Sequence, residues 1–87
     1  MKELILTFGY NNILELCERK GWELPSSKDL IYSKEKFVHE SVWVTDTPEK
    51  EEDVETHAYV YNFKRNKLIL CNKNFKEHVV VKRNKDV

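Results

Sequence analysis

The stretch from Glu55 to Cys71 limits what this chain can fold into more than any other. His57, Tyr59, Tyr61 and Phe63 alternate with Ala58, Val60 and Asn62, and Lys67 to Cys71 is a second short run. Aromatic and β-branched residues suit a pleated, half-buried surface. Between the runs, Lys64-Arg65-Asn66-Lys67 has the length and polarity of a hairpin turn. Asn66 tolerates the left-handed backbone that such turns require. With Arg65 and Asn66 as the two turn residues, Phe63 faces Leu68 and Tyr61 faces Leu70, which places Tyr59, Tyr61, Phe63, Leu68 and Leu70 on one face, and Ala58, Val60, Ile69 and Cys71 on the other. Both faces are apolar, so each must cover a core or serve as a binding surface.

The flanking segments supply the candidate cover. Leu4, Leu6 and Phe8 alternate with Glu3, Ile5 and Thr7, which reads as a short opening strand ended by Gly9. A run this short also fits the start of a helix. Asn12 to Lys20 reads as the main helix, with Ile13, Leu16 and Cys17 on one stripe. Asn12 and Glu15 have capping-box spacing, Arg19 and Lys20 sit in the last turn, and Gly21 supplies a left-handed cap. Pro25 keeps the helix from resuming, and Ser27 could cap a single turn from Asp29 to Tyr32. Phe37 to Val44 is the next expected strand, with Val38, Val42 and Val44 on one side and Phe37, His39, Ser41 and Trp43 on the other. Trp43 is expected to be at least half buried. His78 to Arg83 is the last strand, followed by a tail at 84–87.

The expected fold is therefore a single small α+β domain over 1–87. One main helix packs on a mostly antiparallel sheet of four to five strands, with a β-meander in the C-terminal half. One helix leaves one sheet face short of cover. A two-fold homodimer pairing that face is the simplest remedy, and a different partner protein on the same patch is the other.

Eighty-seven residues bury a limited core. No apolar run approaches the roughly 20 residues of a membrane span. Met1 to Phe8 has neither the length nor the small-residue site of a signal peptide. Cys17 and Cys71 are far apart and flanked by core-type residues, which suits free thiols in the cytoplasm. The net charge is zero but uneven. Residues 39–56 carry Lys50 against seven acidic side chains, whereas residues 57–87 carry eight basic against two acidic. Such a partition implies either two charged docking surfaces or two segments that neutralise each other.

Residues with catalytic potential are scattered. His39, His57, His78, Cys17 and Cys71 fall in no metal-ligand spacing, although His39 and His57 could pair across neighbouring strands. Ser26, Ser27, Ser33 and Ser41 lack a nucleophile-elbow context. The expectation is no catalytic site, no metal and no cofactor. Leu14 to Leu24, LELCERKGWEL, resembles the opening helix and Gly-Trp of the small HicA-type toxin ribonucleases. That family's motif continues with an arginine and a Gly-Ser-His, whereas Pro25 to Lys34 contains no glycine and no histidine. The β-meander with its basic last strand is similar to RelE-type toxins in architecture. Neither resemblance carries a functional residue over.

Two surfaces remain as candidates. Asp46, Glu49, Glu51, Glu52 and Asp53, with Glu55 just beyond, form an acidic loop over 45–53 that could present carboxylates to a basic groove on another protein. It is also the segment most prone to disorder. Lys64, Arg65, Lys67, Lys73, Lys76, Lys82, Arg83 and Lys85 could form one basic rim for RNA or DNA, with Tyr59 and Tyr61 stacking on bases. The leading expectation is a non-catalytic protein-binding module. Its size and texture would suit a bacteriophage or mobile-element accessory protein that inhibits or modulates a host protein. Nucleic-acid binding through the rim is the alternative.

Overall fold

Val79, Val80 and Val81 are consecutive and all essentially inaccessible to solvent. Successive strand residues point to opposite faces, so a run like this requires a core on each side of the sheet. The structure, a computed structural model, describes residues 1–83. The expected tail at 84–87, with Lys85, and the side chain of Arg83 lie outside the described residues.

Among the described residues, six strands and two α-helices follow one another as β1 (Lys2–Glu3), α1 (Tyr10–Lys20), β2 (Trp22–Glu23), α2 (Ser27–Tyr32), β3 (Ser41–Trp43), β4 (His57–Asn62), β5 (Lys67–Asn72) and β6 (Val80–Arg83). The fold is α+β with one main helix, as expected. The strands form two three-stranded antiparallel sheets, β1-β6-β2 and β3-β4-β5, where the sequence suggested a single sheet of four to five strands. A bridge between Val42 and His78 splices the two, with the Trp43 N–H donating to the His78 carbonyl at 3.3 Å. The hairpin keeps its expected faces, and Asn66 takes the positive φ of 53° at the turn. Its register differs: Tyr61 pairs with Leu68 and Tyr59 with Leu70, two residues away from the expected Phe63–Leu68 and Tyr61–Leu70, because 63–66 all lie in the loop between Asn62 and Lys67.

Each face of the spliced sheet has its own core. The first gathers Leu4, Ile13, Cys17, Leu24, Trp43, Ala58, Val60, Cys71, Val79 and Val81 beneath α1. The second gathers Leu30, Val42, Val44, Tyr61 and Val80, with Tyr59, Phe37, Phe63 and Leu68 packed against them. The expectation of an uncovered hairpin face is thus corrected, because α2 and Phe37 cover it from within the chain. This short helix is strongly pinned. Ser26 and Asp29 form a capping box, Asp46 accepts from both the backbone N–H and the hydroxyl of Ser27 at 2.7 Å, and Lys82 donates to Asp29 at 2.9 Å. The Ser26 backbone N–H, followed by Lys82, holds the Asp29 carboxyl below its ordinary pKa.

Two local expectations also change. Helix α1 begins at Tyr10 with Gly9 as N-cap and no side-chain cap, so the Asn12–Glu15 box does not form. The chain enters α1 early because the Tyr10 N–H donates to the Lys73 carbonyl at 2.9 Å. At the other end Gly21 has φ 69°, the expected left-handed cap. The strand expected from Phe37 shrinks to Ser41–Trp43, and Val38 turns out to solvent at 90% exposure.

Trp43 joins these pieces. It is fully buried, packs edge-on against Tyr10 with ring centroids 5.2 Å apart, and its indole N–H donates to the Phe8 carbonyl at 2.8 Å. Trp43→Ala should cost about 3–5 kcal/mol. Thermal unfolding of the purified variant checks this, and a melting temperature equal to wild type would contradict it.

Candidate functional site

The N-terminal segment starts as a regular strand and then departs from the ladder. Lys2 pairs with Val81 and Glu3 with Val80, and the Leu4 N–H donates to the Val79 carbonyl at 2.9 Å. Contact resumes at Phe8, which exchanges both backbone bonds with Glu77 at 2.9 Å. Ile5, Leu6 and Thr7 therefore stand opposite the single residue His78. Extra residues on one strand re-aim their side chains, as at a bulge. Ile5 is 93% exposed and Leu6 68%. They border an open groove of about 520 Å³ lined by Lys2, Glu3, Leu4, Phe8, Leu16 and Trp22. The Lys2 ammonium lies 5.3 Å from the Trp22 ring centroid. Glu3 is occupied, since both its oxygens accept from the Val38 N–H, at 3.1 and 3.2 Å, and His39 Nε2 is 3.4 Å away.

Sequence reasoning missed this groove. The alternation of Leu4, Leu6 and Phe8 implied that all three point inward, yet Leu6 lies in the bulge. The available signal was the apolar content on both sides of a very short run, with Ile5 on the presumed outer side.

The acidic residues divide into two groups. Asp46 is structural, bound to Ser27, and Asp53 lies 3.9 Å from His57 Nδ1. Glu49, Glu51, Glu52 and Glu55 are exposed. The loop is folded onto the protein, against the expectation of disorder. It carries a 3-10 turn at Glu51–Asp53, buries Pro48 and receives the Lys73 ammonium on the Val54 carbonyl at 2.7 Å.

The basic residues do not form one rim. Lys64, Arg65 and Lys67 are exposed at the hairpin tip, whereas Lys73 and Lys76 follow the far end of β5. Six strand residues at about 3.3 Å each separate the two groups by roughly 20 Å. Lys73 is turned onto Val54 and the Tyr10 ring, and Lys82 onto Asp29, with Glu23 at 3.9 Å. Arg83 follows Lys82 in β6, away from the hairpin tip. Tyr61 is 6% exposed and packs edge-on against Phe63, and Tyr59 packs against the same core, so the tyrosine pair is not a stacking platform.

His39 does not meet His57. It stacks on His78, with centroids 3.8 Å apart and rings within 3° of parallel, because the Val42–His78 bridge brings the segment before β3 against β6. Among the described residues no group of three His, Cys, Asp or Glu side chains could hold a metal ion. Both thiols are buried. Burial pushes the Cys17 pKa up, and burial together with the nearby Glu77 carboxylate pushes that of Cys71 to about 11. Thiols rather than thiolates persist at neutral pH, which makes both poor nucleophiles.

No protein-family model, curated protein or solved structure matches this chain. No helix among the described residues is long and apolar enough to cross a membrane.

Cys17 and Cys71 should both resist a soluble thiol probe at pH 7 in the native protein and label fast after unfolding in urea. Rapid native labelling would show a reactive thiol where the geometry has a core one.

Proposed function

We propose that this protein is a non-catalytic protein-binding module that acts by occupying a partner, and that the groove beside Ile5 and Leu6 is its docking surface. One observation carries the reading: two large aliphatic side chains are held out in solvent, next to a groove floored by Leu4, Phe8, Leu16 and Trp22. Contiguous exposed apolar surface of this kind marks interaction sites more often than isolated exposed residues do. The bulge that exposes them is anchored on both sides by backbone bonds, so the presentation is rigid. Rigid presentation lowers the ordering cost of binding.

The groove's charges indicate what it would accept. Glu3 is already bound, and Lys2 stands at the rim with no carboxylate partner among the described residues. An apolar segment of a partner protein, with an acidic residue beside it to meet Lys2, matches this pattern. The exposed Glu49, Glu51, Glu52 and Glu55 would then contribute steering at the periphery rather than the anchor. The nucleic-acid reading has weaker support, because the basic residues are dispersed and Tyr61 is packed into the core.

A photo-crosslinking residue at Leu6 would capture the partner, whose affinity could then be measured against variants. Leu6→Asp and Ile5→Asp should each weaken binding by about 2 kcal/mol or more, while shifting stability by only about 0.5 kcal/mol. Glu51→Lys and Arg65→Glu should leave binding nearly unchanged. Loss of binding on Arg65→Glu, with a steep salt dependence, would favour the nucleic-acid reading instead.

A further inference from the structure

The hairpin also leaves an edge open. Tyr59 of β4 and Phe63, just after it, bond towards the β3 side: the Val44 N–H donates to the Tyr59 carbonyl at 3.1 Å, and the Phe63 N–H to the Glu40 carbonyl at 2.9 Å. Backbone bonding alternates along an antiparallel strand, so Ala58, Val60 and Asn62 bond towards β5. Their partners are Cys71, Ile69 and Lys67. The Lys73 N–H donating to the Thr56 carbonyl at 2.9 Å continues the same alternation. Leu68 and Leu70 therefore aim both their N–H and C=O groups away from the sheet. Strand β5 is an edge of its sheet, and among the described residues no backbone or side-chain group bonds to those outward atoms.

Proteins normally blunt such an edge with proline, a bulge or inward-pointing charge. Strand β5, KLILCN, has no proline, its pairing with β4 runs without a bulge, and its one charge, Lys67, is at the end. Beside it lies an open groove of about 640 Å³ bordered by Ile69, Leu70 and Phe75, and Phe75 is 61% exposed.

We infer that β5 pairs antiparallel with β5 of a second copy of this chain, about a two-fold axis at Ile69. In that register Leu68 of each copy exchanges both backbone bonds with Leu70 of the other, which satisfies all the outward groups of the two residues. Ile69 faces Ile69 of the second copy at a non-hydrogen-bonded position, where Cα atoms approach to about 4.5 Å. The edge is self-complementary about this axis, which selects a second copy, and the charge pattern selects the direction. Antiparallel pairing sets Lys67 opposite Cys71, whereas parallel pairing would set Lys67 against its own copy. The two hairpins then form one continuous sheet, and the Ile5–Leu6 groove of each copy is not needed for the contact.

Sedimentation equilibrium from micromolar to millimolar concentration tests the inference. The wild-type protein should pass from 10.4 kDa to twice that mass. Leu70→Lys, which places like charges at the junction, and Leu70→Pro, which removes an outward donor, should each weaken dimerisation by about tenfold or more. Near-UV circular dichroism verifies that each variant is folded. In a Cys17→Ser, Cys71→Ser background, Ile69→Cys should oxidise to a covalent dimer and Lys67→Cys should not. A wild-type monomer throughout the range would overturn the inference. So would a dimer that survives both edge variants but is lost on Leu6→Asp, since it would use the groove instead.

Discussion

The structure depends on one requirement, that Val79, Val80 and Val81, the run leading into β6, be dry on both faces of the sheet. A single helix cannot meet it. The chain meets it with two layers, α1 over Val79 and Val81, and α2 with Phe37 over Val80. The second layer is short, which explains why it is so heavily tied down. Its N-terminus is capped by Ser26 and Asp29 and gripped by Asp46, and Lys82, from β6 itself, reaches Asp29. The charges that looked like docking surfaces in the sequence are partly used to hold this roof in place.

The same strand generates the candidate binding surface. At His78, just before β6, the chain turns its backbone carbonyl to Trp43 of β3. Opposite that point the N-terminal strand bulges, and Ile5 and Leu6 are pushed into solvent. Fold and candidate site are thus two consequences of one splice. The sheet is joined there at the cost of a local break in the β1–β6 ladder, and the break is where apolar side chains surface. The charge asymmetry persists in the folded chain. Lys73 closes onto the neutral Val54 carbonyl of the acidic loop and Lys82 onto Asp29, outside that loop, so among the described residues no lysine of the basic stretch pairs with a carboxylate of the acidic one.

The parts legible in the sequence were those with local periodicity. The two faces of the hairpin followed from alternation, the end of α1 from Gly21, and the burial of Trp43 from its place among valines. The hairpin register did not, because alternation is unchanged by a shift of two residues and the loop proved longer than the two-residue turn. The unreadable parts depended on distant partners. The start of α1 is set by a bond to Lys73, far along the chain, which overrides a plausible capping box at Asn12. The Phe37–Val44 run fitted a long strand, but regular pairing with β4 is limited to Ser41–Trp43, and Val38 is released. The stacking of His39 on His78 and the bulge at Ile5–Leu6 both arise from the splice between sheets, which leaves no periodic trace. The role of α2 was underestimated because six residues are too few to show an amphipathic stripe.

Native-state amide hydrogen exchange tests the two-layer account most directly. If β6 is the wall shared by both cores, the protected amides of Val79–Val81 and of Trp43 should exchange only through global unfolding, with the same free energy as the central amides of β4. Exchange of the β6 amides as fast as those at the hairpin tip, Lys64–Asn66, would contradict it, because the strand would then be dry on neither face.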